Sequence, residues 1–358
     1  MERRRRDVRA GTALISSTRP TPPVFLRSPL SWSDPRTRAI VWQILVVAGV
    51  IALVAAIVLQ TVVNLRARGI ASGFGFLDRA AGFEITRGLI EFSSRDTYAR
   101  ALVVGLLNTL RVALVGIVLA TTLGAAAGVA RLSNIWVVST IARGYLEVMR
   151  NTPLLLQLLF WYSLSQLLPP PREALNPLPG VFLCYRGLFV PAPSWHAGYP
   201  WIAVDRPAFV GFGFQGGTSI SPEFAALLVG LTTYTAALIG EVVRGGILSV
   251  EKGQREAAAA LGLSRAAILR VVILPQALRV IIPPTTSQFL NLVKNSSLAV
   301  AIGYPDLIAI TNTTLNQTGQ AIEALALAMV VYLAISLTLS LGMNMYNGAI
   351  LRRGGRAA

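Results

Sequence analysis

Between Ala39 and Val63 no residue carries a charge. Five further apolar stretches follow: about 101–130, 136 to just before Pro169, 223–248, 266–293 and 321–346. Roughly 20 apolar residues suffice to carry a helix across ~30 Å of hydrocarbon. Within that medium the backbone must satisfy its own hydrogen bonds, so only helices or closed barrels cross it. Barrel strands would appear as short alternating segments, whereas these runs are continuous. Charged residues are 13 % of the chain, about half the usual share of a soluble domain. The expected fold is an all-α polytopic membrane protein with about six transmembrane helices.

The net charge of +16 is unevenly spread. Residues 1–38 hold nine arginines, including Arg3 to Arg6, and are broken by Pro20, Pro22, Pro23, Pro29 and Pro35. Such a segment has no apolar period and is expected to be a disordered basic tail. It leads straight into the first span (39–63), so the positive-inside rule accounts for its charge without a nucleic-acid partner. Segment 64–100 is expected to be external, with short amphipathic helices; its part 64–97 balances five arginines against four acids. Residues 101–347 form the main membrane domain, with an external Pro/Gly-rich loop at 169–221 and a cytoplasmic loop at 249–266. Arg352, Arg353 and Arg356 in the tail 348–358 put the C-terminus, like the N-terminus, in the cytoplasm. A secretory signal is not expected, because the first apolar run starts too late and is too long.

The only cysteine is Cys184 and the only histidine His196. An internal disulfide is therefore excluded, and a zinc site has too few ligands of the usual kind. Gly211 to Gly216 spells the letters of a dinucleotide fingerprint, but no preceding strand or βαβ unit is expected around it. Gly124, Ala125, Ala126, Ala127 and Gly128 would let helices approach closely in lipid. Arg143, Glu147 and Arg150 are spaced to pair along one helix face, and Pro153 should kink that helix. Pro275, Pro283 and Pro284 should break or kink the fifth span. Glu241 and Arg244 are expected to pair, and Glu323 suits the positive end of its helix.

The most informative stretch lies between the fourth and fifth spans. Arg255 to Leu261 is a strong helix former. Gly262 supplies a turn conformation that only glycine adopts freely, and Ser264 is placed to cap a second helix. The product is a polar-flanked elbow whose alanines make a smooth ridge, able to seat in a groove of another protein, with Glu256 as one aligning charge.

Glu256-Ala257-Ala258, Gly262, Val272 and Leu274-Pro275 resemble the EAA loop of ATP-binding-cassette importer permeases, with valine standing for the family's isoleucine. Gly105 to Leu110, Tyr145 to Gln157, Tyr234 to Gly245 and Lys294 to Asp306 are similar to the polar amino-acid uptake subfamily. Phe212 to Gly217 and Asn316 to Gly319 look most like its general L-amino-acid members. The resemblance implies a type-1 importer permease core in the bacterial cytoplasmic (inner) membrane. It implies an ABC ATPase dimer, a second homologous permease subunit and an external solute-binding protein as partners. Glu256, Ala257, Ala258, Gly262, Leu274 and Pro275 would couple to the ATPase. No cofactor is expected on this chain: it lacks a phosphate-binding Gly-x4-Gly-Lys-Ser/Thr loop, so ATP and magnesium would sit on the partner.

Asn291, Lys294, Asn295, Ser296 and Ser297 lie where the fifth span turns polar. They can offer donors to an amino acid's carboxylate and acceptors to its ammonium, and charges at membrane depth are functional candidates; snorkelling of Lys294 and helix-to-helix bonding by Asn and Ser are the structural alternatives. The rival function is an ion-coupled secondary amino-acid transporter, against which stands the lack of internal repeats and mid-membrane carboxylates. A membrane enzyme would need clustered acids or histidines that the sequence does not supply.

Overall fold

The computed structural model describes residues 32, 35–67, 69, 72–86, 88–194 and 203–354. Most of the basic tail, His196 with its neighbours Trp195, Tyr199 and Trp201, and the last four residues lie outside these. The chain divides into two compact units, Met1–Gly69 and Ile70–Ala358. The first contains α1 (Pro35–Ala67), whose apolar stretch Thr37–Asn64 is long enough to cross a membrane.

In the second unit, segment 72–97 is irregular apart from a 3-10 turn at Gly75–Asp78, where amphipathic helices were expected. It holds its place through aromatics: Phe76 is fully buried, with its ring 6.1 Å from that of Tyr98. Next come α2 (Tyr98–Ala130), α3 (Trp136–Asn151) and α4 (Leu154–Gln166). Thr97 caps α2 by accepting from Arg100 N–H. The expected third crossing is thus two helices of 16 and 13 residues, each short of the roughly 20 residues that cross the hydrocarbon core. Pro153 is the cause. It lacks an N–H and pushes the residue before it out of the helical region, and Thr152 sits at φ −98°, ψ 131°. Buried Gln157 repairs the break, its Nε2 donating to the carbonyls of Met149 (2.9 Å) and Thr152 (3.1 Å).

The external loop is a small β insert. β1 (Leu175–Leu178), β2 (Val181–Cys184) and β3 (Gly187–Val190) form an antiparallel meander that β8 (Thr218–Ile220) joins, in the order β1-β2-β3-β8. Between them lie two hairpins, β4 (Ala192–Ser194) with β5 (Ala203–Asp205) and β6 (Ala208–Val210) with β7 (Gly213–Gln215). Rings of Phe182, Phe189 and Phe209 surround Phe214 at 4.5–5.6 Å. A strand does precede Gly211, contrary to expectation. It turns back as a hairpin through Gly211 at φ +63° rather than opening a helix, so no dinucleotide unit forms.

The remainder is α5 (Pro222–Leu248), α6 (Lys252–Ala260), α7 (Arg265–Ala267), a π-helical segment Ile268–Ile273, α8 (Leu274–Asn295), a 3-10 stretch Ser296–Ile302, α9 (Leu307–Thr318) and α10 (Ala321–Gly354). Among the described residues, five helical stretches are long and apolar enough to span a membrane: those of α1, α2, α5, 265–302 and α10. The irregularity expected of the prolines appears at Pro275, while Pro283 and Pro284 do not interrupt the helix. α8 runs unbroken through Pro283 and Pro284, where Thr285 and Thr286 donate to the carbonyls of Ile281 and Ile282 in the same turn. The irregularity lies ahead of Pro275, where a wider π turn relieves the clash of the ring with the preceding turn.

α2 and α5 form the spine of this unit. Gly116, Ala120, Gly124 and Gly128 recur every fourth residue on one buried face of α2. A Cβ on Gly124 would lie 2.7 Å from the Ala236 carbonyl oxygen, and one on Gly128 would lie 2.5 Å from that of Gly240. In lipid, helices associate through such close packing rather than through the hydrophobic effect. Gly128→Leu should therefore destabilise the protein by more than the ~1–3 kcal/mol usual for an overpacked core, because the obstruction is backbone. Gly342→Leu, which meets nothing within 4 Å, should be neutral. Thermal unfolding of both variants in detergent checks this.

Candidate functional site

The elbow predicted between the fourth and fifth spans is built at the end of α5. Val250 is buried there, and Arg255 donates from Nη2 to the Ile247 carbonyl. On the other side, Gln276 Nε2 of α8 donates to Gln254 Oε1 at 2.6 Å. α6 is thus tied to the helices before and after it. Its end is fixed by two backbone bonds, Leu263 N–H to the Ala258 carbonyl (3.2 Å) and Gly262 N–H to that of Ala259 (3.0 Å). This is the paired pattern of a Schellman stop, which needs a left-handed residue, and Gly262 supplies it at φ +79°. Ser264 Oγ accepts from Ala267 N–H at 3.3 Å and opens the next turn.

The ridge differs in one respect from expectation. Ala258 points inward and is buried, so only Ala257, Ala259 and Ala260 of the four alanines face out. Leu261, which the sequence reading did not single out, extends that face with 83 % of its surface exposed. Glu256 faces solvent 3.4 Å from Lys252. An exposed pair of this kind contributes only about 0.3–0.5 kcal/mol, so a partner's cation can replace it at little cost. Leu274 and Pro275 are exposed at the start of α8, directly after the π segment.

Behind the elbow, one carboxylate gathers three arginines. Arg131 from the end of α2 bonds to Glu241 Oε2, Arg244 Nη2 lies 2.5 Å from Oε1, and Arg150 from the end of α3 lies 3.6 Å from Oε2. The expected Glu241–Arg244 pair is present but is one part of a node joining α2, α3 and α5. The expected pairing of Arg143, Glu147 and Arg150 along α3 is not found among the described residues; Arg150 turns to Glu241 instead.

At the far end of the same helices two sequence motifs clasp each other. Asn108 Nδ2 donates to the Pro305 carbonyl (2.9 Å), Leu307 N–H donates to Thr109 Oγ1 (3.1 Å), and Tyr304 Oη donates to the Asn108 carbonyl (3.4 Å). Asp306 is fully buried and caps α9 by accepting from Ala309 N–H at 2.8 Å. Glu323, in the first turn of α10, accepts from Gly73 N–H at 2.8 Å.

The five polar residues expected along a solute path separate into two groups. Ser296 is buried and Ser297 half-buried, and their hydroxyls bond to the carbonyls of Val293 and Lys294, each at 2.7 Å. Asn295 is half-buried. Asn291 and Lys294 are exposed and continue a face with Pro284 and Ser287, at spacings that keep them on one side of α8. Among the described residues no three His, Cys, Asp or Glu side chains are grouped to hold a metal ion. Cys184 is buried and bonds to the Gly187 carbonyl.

A span with one polar face open cannot rest that face on lipid. Such a face suits water or a neighbouring subunit, and with five span-length apolar helices among the described residues the chain is a multi-pass membrane protein. Likeness to known proteins narrows the class. The family described as "Binding-protein-dependent transport system inner membrane component" matches residues 116–353. The putative amino-acid ABC transporter permease protein YhdX of Escherichia coli (strain K12) is 45 % identical, over 91 % of this chain and 97 % of its own length. The general L-amino acid transport system permease protein AapQ of Rhizobium johnstonii is 42 % identical, over 88 % of this chain and 92 % of its own. A crystal structure of an amino acid ABC transporter with histidines superposes with a TM-score of 0.52 at 25 % identity, covering 70 % of this chain and 95 % of that one. This chain therefore belongs to the binding-protein-dependent inner-membrane transport components, as a multi-pass transport subunit.

The arginine node has a measurable weight. Glu241→Ala leaves three guanidinium groups facing one another, and loss of charge-assisted hydrogen bonds of this kind costs about 1.5–3 kcal/mol. A lowered unfolding temperature in detergent is expected, with Glu241→Asp intermediate.

Proposed function

We propose that this chain is the translocating subunit of an ATP-driven importer of L-amino acids, powered by a separate ABC ATPase dimer. The observation that carries this reading is the elbow: an exposed apolar ridge ending in Leu261, stopped by Gly262 and tied to both α5 and α8. A push on α6 would pass into the two helices that flank it, as rigid-body switching between two packed arrangements. Glu256 and Ala257 would touch the ATPase groove directly, with Leu261 beside them. Ala258 and Gly262 would hold the ridge in shape, and Leu274 and Pro275 would brace the start of α8. ATP and magnesium would be bound by the ATPase and not by this chain.

A second, homologous permease subunit would complete the membrane portion, and an external binding protein would deliver the substrate. Both termini would lie in the cytoplasm. The path would run along the polar face of α8, with Lys294 receiving the substrate carboxylate and Asn291 hydrogen-bonding either end. Asn295, Ser296 and Ser297 would shape that face from behind rather than contact the solute. The likeness to amino-acid permeases along most of the chain supports this substrate class.

Glu256→Lys and Gly262→Trp should each reduce ATP-dependent uptake of radiolabelled amino acids by reconstituted complex at least tenfold, while the protein still reaches the membrane in normal amount. Normal uptake by both variants would defeat the coupling role. Lys294→Met should slow uptake and leave substrate-free ATP hydrolysis by the assembled complex unchanged.

A further inference from the structure

The arginine node behind the elbow carries more positive charge than its own carboxylate can balance. Glu241 Oε1 accepts from Arg244 at both Nε (3.1 Å) and Nη2 (2.5 Å), and Oε2 accepts from Arg131. Arg150 Nη1 stays 3.6 Å from Oε2, beyond hydrogen-bond distance. Among the described residues no hydrogen bond engages the Arg150 guanidinium, and 40 % of its side chain is exposed. Three guanidinium groups thus share one negative charge. On the same face of α3, exposed Arg143 and Glu147 offset each other. Like charges held this close repel, so a further anion would stabilise the node. The node also has a defined level. Arg131 directly follows the last residue of α2, Arg150 is the last but one of α3, and Glu241 and Arg244 lie near the end of α5. Val129 and Val148, each two residues before one of these arginines, are exposed, as are Leu155 and Leu156 at the start of α4. In a bilayer such side chains meet acyl chains, so the guanidinium groups sit where hydrocarbon gives way to headgroups.

A guanidinium fork matches two oxygens of a phosphate, and charge-assisted pairs of this kind are strong. Basic pockets between membrane helices take anionic lipid headgroups. We propose that Arg150, with Arg131 and Arg244 behind it, binds the phosphate of an anionic lipid in the leaflet on the elbow's side. Arg150 supplies the exposed donors. Arg131 and Arg244 stay on Glu241 and add their positive field. The bound phosphate holds α3 against charges fixed on α2 and α5, and so braces the three helix ends beside the elbow. Free inorganic phosphate offers the same chemistry, but the exposed apolar side chains at this level favour the lipid. The site lies apart from the polar face of α8 and is independent of which solute is carried.

The test titrates the purified full chain in a neutral detergent with phosphatidylglycerol or phosphatidylcholine and reads bound lipid by native mass spectrometry. A third arm adds inorganic phosphate as competitor at constant ionic strength. Phosphatidylglycerol should bind in preference to phosphatidylcholine, and Arg150→Gln should weaken its binding by about tenfold, the loss of one charge-assisted contact. Arg172→Gln makes the same change of charge in the β insert, ahead of α5 rather than at its end, and should leave binding as it was. Arg150→Lys keeps the charge but not the fork; it should fall between, and it carries the test if the glutamine variant does not fold. Equal binding of the two lipids, or equal loss in Arg150→Gln and Arg172→Gln, overturns the site. So does unchanged binding by Arg150→Gln, or by Arg150→Lys where only that variant folds. Displacement of the lipid by inorganic phosphate would mark a free-anion site and overturn the lipid assignment.

Discussion

The backbone contact between α2 and α5 is the constraint on which the rest of the second unit depends. In hydrocarbon, apolar side chains gain nothing by leaving lipid for one another, so adhesion has to come from close fit. Gly124 and Gly128 remove side chains from one strip of α2, and the carbonyls of Ala236 and Gly240 occupy the space, while Gly116 on the same strip faces Leu292 of α8. Fixing these two helices also fixes what their ends carry. At one end Arg131 and Glu241 meet and draw in Arg150. At the other, Asn108 and Thr109 hold the turn through Pro305 and Leu307.

Between those ends the helices are divided into short, well-joined rods. α3 and α4 are separate rods because Pro153 divides them, yet Gln157 keeps the joint hydrogen-bonded and so well defined. The elbow is bound on two sides by Arg255 and Gln254. An external force on α6 has no slack loop in which to dissipate. The bonds that hold it are local, Arg255 to the Ile247 carbonyl and Gln276 to Gln254, so α6 is rigidly joined to the helices on either side.

Much of this was legible in the sequence because it depends on local rules. Apolar run length predicts spans, and the glycine after an alanine-rich helix predicts the stop and its left-handed backbone. The elbow was readable to the residue, except that helical phase puts Ala258 inside and Leu261 outside. What was not legible depends on partners far away in the chain. Arg150 has suitable neighbours on its own helix, and only the fold shows that Glu241 outcompetes them. The β insert escaped notice because its strands are three or four residues long and interrupted by proline and glycine, too short to show alternation. Its core is an aromatic cluster drawn from four separated positions, Phe182, Phe189, Phe209 and Phe214.

The π turn before Pro275 has a geometric effect beyond easing a proline. A π turn accommodates an extra residue in a helix, and one residue is about 100° of rotation. Every side chain of α8 downstream of Ile273 is swung by that angle relative to an uninterrupted helix. Ser287, Asn291 and Lys294 point outward together because of this offset, while Phe289 and Leu292 point into the packing. A change that let Ile268–Ile273 close as ordinary α-helix with all its residues kept would act as a wrongly set dial, turning the amphipathic phase of the whole helix without altering any residue on its polar face.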